Sequence, residues 1–294
     1  MLHPPSIKMR SWLFAPGDSE KKMAKATDGP ADIVLLDLED AVAPAAKGAA
    51  RIAVRDFLAS RPAQRHRLWV RVNPLDGPHT LDDLSVIMAA NPGGIMLPKV
   101  NGREDVATFD HYLSAFEVAN GIERGTTPVI PLITETARAM FHTGSYGDAP
   151  RVAALSWGAE DLAASIGASS NRADNGQYGF TYELARSLTL LGAAAAALPA
   201  IDTIHADFRD DAGLRTRAEQ VRRDGFSGML AIHPAQVEII NAAFTPSAEE
   251  ITAAQEIVDL FAANPGVGTI GLNGAMLDLP FLVRAQKVLA LADA

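Results

Sequence analysis

Apolar positions along the chain fall into short, nearly continuous runs at residues 12–15, 33–38, 68–72, 94–97, 128–133, 152–157, 200–204 and 228–232. Runs that are apolar at almost every position, rather than at every second one, predict strands buried on both faces, as in a parallel sheet. Between them the period changes. Residues 18–25, 81–90, 182–197 and 214–224 carry helical spacing and helix start signals. Eight alternations of strand and helix predict an α/β fold of the (β/α)8 TIM-barrel type rather than an open doubly wound sheet.

After the eighth run the pattern changes again. Pro246 and Ser247 open a further helix, Glu250 completes a capping box, and Ile251, Ala254, Val258 and Phe261 form its apolar stripe. Residues 264–266 end it. Gly266, Gly268, Gly271 and Gly274 read as a connector leading to Asp278 and to a last helix from Pro280, a favoured first-turn position. The chain therefore divides into a barrel over residues 1–246 and a C-terminal helical extension over 247–294, expected to fold over a barrel mouth.

Composition then removes whole classes of function. The 294 residues suffice for one large domain, and 48% hydrophobic with 21% charged residues is a globular balance. A net charge of -9 argues against nucleic acid as a partner, although local basic clusters still allow a small anionic ligand. Without any cysteine, thiolate nucleophiles, cysteine zinc sites and iron–sulfur clusters are excluded. No apolar stretch reaches the length of a membrane span, so no membrane association and a cytoplasmic location are expected.

Active sites of such barrels lie at the carboxyl ends of the strands. Here nearly every end is polar: Asp37, Glu39 and Asp40 on the second, Arg71 and Asn73 on the third, Lys99 on the fourth, Thr134 and Glu135 on the fifth, Glu160 and Asp161 on the sixth, and His233 on the eighth. So many carboxylates at one mouth raise each other's pKa unless a cation offsets them. Oxygen ligands suit Mg²⁺, or Mn²⁺, held by one or two carboxylates with water and substrate. The competing reading makes the acids structural ion pairs with Lys99, Arg71 or Arg55.

Eight segments in this order, RSWLFAPG (10–17), LDLEDAV (36–42), VRVN (70–73), LPK (97–99), ITET (133–136), WGAEDL (157–162), IHP (232–234) and MLDLP (276–280), give the chain a resemblance to the citrate lyase beta-subunit-like family, which includes malyl-CoA and citramalyl-CoA lyases. The resemblance covers almost the whole length. It implies a Mg²⁺-dependent barrel, a homotrimer or homohexamer, that makes or breaks a carbon–carbon bond between an acyl-CoA and a 2-oxo acid such as glyoxylate, pyruvate or oxaloacetate. Glu135 and Asp161 would be the metal ligands, and Arg71 would grip the oxo acid. Lys21 and Lys25 would meet the CoA phosphates. Phe14, where some relatives carry tyrosine, would border the ligand with Ile232 and His233, while Asp37, Glu39, Asp40 and Lys99 would support the site from behind.

The resemblance also makes Asp278 the proton carrier, supplied to a neighbouring subunit, against the alternative of a cap for the helix at Pro280. For His233 two roles stay open, ligand contact or support of the strand mouth, and an ion pair is favoured over a Schiff base for Lys99. Three other functions compete: a Mg²⁺ barrel aldolase acting on free acids, a malyl-CoA thioesterase, and a citrate lyase beta-type subunit of a larger complex.

Overall fold

A computed structural model describes residues 8–293. Each apolar run forms a strand, and the elements follow as β1 (Ser11–Pro16), α1 (Glu20–Thr27), β2 (Ile33–Asp37), α2 (Lys47–Ala59), β3 (Leu68–Arg71), α3 (Thr80–Ile87), β4 (Gly94–Leu97), α4 (Arg103–Ala119), β5 (Val129–Pro131), β6 (Leu155–Ser156), α5 (Ala159–Ile166), α6 (Phe180–Ala195), β7 (Ala200–Asp202), α7 (Asp211–Asp224), β8 (Gly228–Ala231) and α8 (Pro234–Ala243). The strands pair in parallel in the order β5-β4-β3-β2-β1-β8-β7-β6. Isolated parallel bridges, Val129 to Val152 and Leu132 to Ser156, join the two ends of this ladder and nearly close the ring.

The strict alternation fails once. Between β5 and β6 the chain forms only a 3₁₀ turn at Ala139–Phe141, because Gly144, Gly147 and Pro150 interrupt the segment where a helix would continue. Two helices, α5 and α6, then share the following connection.

Side chains alternate across each strand and so build two cores. Trp12, Ile33, Leu35, Trp69, Met96, Ile130, Leu132 and Leu230 fill the barrel interior, where the Trp12 and Trp69 rings meet edge-on at 5.1 Å. Leu13, Val34, Leu36, Val70 and Leu97 point outward against the helices. A Cβ on Gly94 would come within 2.4 Å of the Trp69 ring, so only glycine lets β4 lie against that indole.

At the opposite end from the polar mouth, Glu117 and Arg151 lock α4 to the segment leading into β6. Arg151 Nη1 and Nη2 donate to the two carboxylate oxygens of Glu117 at 2.6 and 2.9 Å, and the backbone N–H groups of Gly125 and Thr127 donate to the same oxygens. Burial alone would raise the Glu117 carboxyl, but these donors outweigh it and hold it down to about 2. The folded value lies below the ordinary 4.5, so this stabilisation is complete above that pH and is lost as pH falls toward about 2. Glu117→Ala leaves a buried guanidinium short of a counter-charge and is expected to cost about 3 kcal/mol in urea unfolding at neutral pH. The difference from the parent should shrink in acid.

Beyond the barrel, α9 (Ala248–Ala263) starts with the expected capping box: Ser247 Oγ accepts from the Glu250 N–H at 3.2 Å, and Glu250 Oε2 accepts from the Ser247 N–H at 2.8 Å. The glycine-rich connector is an antiparallel hairpin of β9 (Thr269–Leu272) and β10 (Ala275–Asp278). Its turn, Asn273-Gly274, has φ values of 50° and 81°, the left-handed pair that a two-residue hairpin turn needs. The last helix, α10 (Leu279–Asp293), packs on α9. Among the described residues, none of the tail lines the cleft at the mouth of its own barrel. The tail's elements pack on one another, and Arg222 Nη2 donates to Glu250 Oε1 at 2.9 Å, tying α9 to α7 on the barrel flank. Among the described residues no helix is long and apolar enough to cross a membrane.

Candidate active site

The carboxyl ends of the strands surround a cleft of about 330 Å³ lined by Phe14, Asp37, Arg71, Leu132, Glu135, Trp157, Glu160, Asp161, Ile204, Leu230 and Ile232, among others. Register explains the polar rim. Asp37 on β2 stands beside Arg71 on β3, and Arg71 donates from Nε and Nη2 to the two Asp37 oxygens at 2.8 and 2.6 Å. Asp37 also accepts from the N–H groups of Glu39 and Ala41, which fixes the loop after β2. The guanidinium lies 4.7 Å over the Phe14 ring and leaves Nη1 facing Glu39 Oε2 at 2.9 Å. Burial opposes the Arg71 charge, yet Asp37, Glu39 and Glu135 outweigh it and raise its pKa above the ordinary arginine value. The guanidinium is therefore a permanent, rigidly held cation.

Lys99 has a backbone φ of 54°, which turns its N–H onto Glu135 Oε2 at 2.7 Å while its ammonium reaches Glu39 Oε1 at 2.5 Å and Asp161 Oδ1 at 3.1 Å. Burial works to lower the lysine pKa, but the hydrogen bond to Glu39 and the charges of Glu39, Glu135 and Asp161 raise it overall. A lysine held as ammonium is a poor imine-forming nucleophile. Glu135 shows the opposite imbalance: burial, then Asp161 and Glu39, push its carboxyl up to about 8 despite Lys99.

Five carboxylates, Asp37, Glu39, Asp40, Glu135 and Asp161, thus share two cations, Arg71 and Lys99. Arg55 is no part of this array; it pairs with Asp56 on α2. The surplus negative charge and the all-oxygen donor set fit a hard divalent cation. Among the described residues no three acidic or histidine side chains form a ready-made cage, so such an ion would rest on Glu135 and Asp161 and complete its shell with water and substrate. Gly158 makes room for the Glu135 side chain, since a Cβ there would meet Glu135 Oε1 at 2.8 Å. Gly158→Ala is expected to weaken Mg²⁺ binding by about tenfold or more, in the range seen when groups orienting a metal ligand are disturbed. Calorimetric titration checks it, with unchanged affinity as the contrary result.

The structure brings together Phe14, Asp37, Glu39, Asp40, Arg71, Lys99, Glu135, Asp161 and Ile232. It leaves Lys21 and Lys25 exposed on α1, outside the cleft lining. His233 is the N-cap of α8: its Nδ1 accepts from the Ala235 N–H at 3.2 Å and its ring stacks on Phe208. Asp278 is exposed, ends β10 directly before α10, and does not line the cleft of its own chain.

Several contributors are not evident from the motifs. Leu132, Ile204 and Leu230 form apolar walls of the cleft, and the alternation of inward positions along the apolar runs 128–133 and 228–232 could have found two of them. Lys47 lies buried below the mouth, donating from Nζ to Leu38 O, Glu39 O and Asn73 Oδ1 at 2.8, 2.8 and 2.7 Å. Asn73 in turn donates to Asp83, which Arg51 holds, so a buried polar chain supports the loop carrying Glu39.

Residues 10–234 match the family described as HpcH/HpaI aldolase/citrate lyase. A citrate lyase subunit beta-like protein of Mycobacterium tuberculosis is 34% identical over 95% of this chain and 93% of its own. The mitochondrial citramalyl-CoA lyase of Rattus norvegicus is 32% identical over 97% of this chain and 86% of its own. The crystal structure of the CitE protein of Mycobacterium tuberculosis in complex with magnesium, acetoacetate and coenzyme A superposes with a TM-score of 0.82 at 33% identity, covering 98% of this chain and 99% of the other. With its eight-stranded barrel and its acid-rimmed mouth, the chain belongs to the HpcH/HpaI aldolase/citrate lyase family and is a lyase.

Proposed function

We propose that this lyase is Mg²⁺-dependent and makes or breaks a carbon–carbon bond between a 2-oxo acid and an acyl-CoA, acting on a thioester of the malyl-CoA, citramalyl-CoA or 3-methylmalyl-CoA type. The observation that carries the reading is the convergence of Glu135, Asp161 and Arg71 on one cleft with more carboxylates than cations. Homologues crystallised with magnesium, and one with coenzyme A, support it.

Glu135 and Asp161 would hold the ion, which would supply Lewis-acid polarisation of a substrate oxygen. With its other edge committed to Asp37, Arg71 would turn Nη1, which faces Glu39 Oε2 at 2.9 Å, to the carboxylate of the oxo acid. That commitment fixes the direction of the donor before substrate arrives, so little reorganisation is needed as charge develops. Lys99 keeps Glu39 and Asp161 from repelling the anionic substrate. Leu132, Trp157, Leu230 and Ile232 keep water from the reacting carbons. Lys21 and Lys25, one turn apart on α1, meet the CoA phosphates as point charges. The proton at the acyl α-carbon is given or taken by Asp278 of a neighbouring copy in a homotrimer or homohexamer.

Purified protein with Mg²⁺, offered malyl-CoA, citramalyl-CoA and 3-methylmalyl-CoA, should release a 2-oxo acid and a shorter acyl-CoA in equal amounts, read by mass spectrometry. Free thiol without a shortened acyl-CoA would mean thioester hydrolysis. Cleavage of the free hydroxy acids alone would mean an aldolase without CoA.

A further inference from the structure

A second cavity, of about 310 Å³, lies beside the candidate active site and shares one wall residue with it, Ile204. Residues 171–178, the loop after β7 and helix α7 build it, and Arg172, Tyr178, His205, Asp210 and Arg217 line it, among others. Its frame is held by backbone contacts. Arg172 and Tyr178 pair as an isolated antiparallel bridge, and Arg172 Nη1 donates to Gly176 O at 2.9 Å. Gln236 Nε2 donates to His205 O at 2.8 Å and pins the loop after β7.

Two buried polar atoms in this cavity find no hydrogen-bond partner among the described residues: the hydroxyl of Tyr178, a residue only 7% exposed, and Nε2 of His205, which stands 3.5 Å from Asp210 Oδ2. Buried polar groups are otherwise satisfied by protein, water or ligand, so both call for an occupant. Burial first, then the charge of Glu160, push the Tyr178 phenol up to about 12 against the pull of Arg172, so it keeps its proton and is a donor at neutral pH. The guanidinium carbons of Arg172 and Arg217 lie 4.3 and 5.3 Å from the centre of the same ring. Arg217 gives Nη2 to Asp202 at 3.2 Å, and its Nη1 stands 4.0 Å from Glu183. Among the described lining residues these two arginines meet one carboxylate, Asp210, whereas acids outnumber cations in the catalytic cleft. We propose that this cavity is a separate binding site for a small oxyanion, inorganic phosphate or a simple carboxylate, held by Tyr178, Arg172 and Arg217. Guanidinium forks match the edge of either ion, and a protonated phenol adds a donor without a charge of its own.

Calorimetric titration of the whole chain, stripped of divalent metal and freed of chelator, with inorganic phosphate and separately with acetate tests this at low ionic strength, where the arginine charges are least screened. At least one of the two ions should bind, and the tighter of them identifies the source. Arg172→Gln, at an exposed position, and Tyr178→Phe, which keeps the ring, should each weaken that binding by about tenfold or more, the loss of one hydrogen bond to a charged group. Glu135→Ala should leave it unchanged, because the site does not depend on the metal ligands of the cleft. If Tyr178→Phe lowers the urea midpoint, Arg172→Gln decides the matter alone. Failure of both ions to bind would overturn the inference, as would affinities that Arg172→Gln leaves untouched. Loss of binding in Glu135→Ala would place the ion in the catalytic cleft and overturn it as well.

Discussion

Asp278→Asn is expected to lower turnover by about 10²-fold or more while leaving fold and Mg²⁺ affinity intact, because asparagine keeps the size and capping capacity of aspartate but cannot carry the proton. The residue is exposed at the end of β10 and is not among those lining the cleft of its own chain, so a catalytic role would have to be exercised in the cleft of another copy. The tail supports this geometry. Its helices and hairpin pack on one another and are tied to the barrel flank through Glu250, which leaves the β10 end free to face a neighbour. Mixing Asp278→Asn with Glu135→Ala subunits, each inactive alone, should then restore part of the activity through hybrid sites that pair an intact metal site with an intact aspartate. Mixed oligomers that stay inactive would return Asp278 to a capping role.

Arg71→Lys is expected to lower kcat by about 10²–10³-fold although the charge is retained. A lysine ammonium cannot span both Asp37 oxygens, as the guanidinium does at 2.8 and 2.6 Å, and still offer a further donor toward Glu39 and the cleft, as Nη1 does. Nor does it reproduce the guanidinium lying 4.7 Å over the Phe14 ring. The loss should fall on kcat for every thioester in the panel alike, since the conserved feature of those substrates is the carboxylate next to the reacting carbon. Undiminished turnover in this variant would show that the fork geometry is not used.

How much of this could be read from the chain depends on which physical signal each element leaves. The strands were legible because parallel strands covered on both faces must be apolar throughout, and all eight runs form strands. The acids of the mouth were legible because a charged residue ending such a run needs a reason to be there. What they do to one another was not. The sharing of Asp37 between Arg71 and the backbone of Glu39 and Ala41, and the turn at Lys99 that presents its N–H to Glu135, depend on cross-strand register and one left-handed residue. The hairpin of β9 and β10 left a signal that glycine content obscured: Asn-Gly between two short strands is the sequence of a tight turn rather than of a flexible connector. The course of the tail along the barrel flank depends on tertiary contacts such as Arg222 with Glu250, which no local pattern records. For His233, the residue after a strand and before Pro234 is where an N-cap belongs, and its ring nitrogen accepts the N–H of Ala235 there.

On the proposed reading, Glu135 and Asp161 hold the divalent ion on which carbon–carbon cleavage depends. Protein stripped with chelator and then titrated with Mg²⁺, with thioester cleavage followed at each step, tests it most directly. The stripped protein should show no turnover, recovery with Mg²⁺ or Mn²⁺ should be saturable, and Glu135→Ala or Asp161→Ala should not recover at any concentration that restores the parent. Full activity in excess chelator would contradict it.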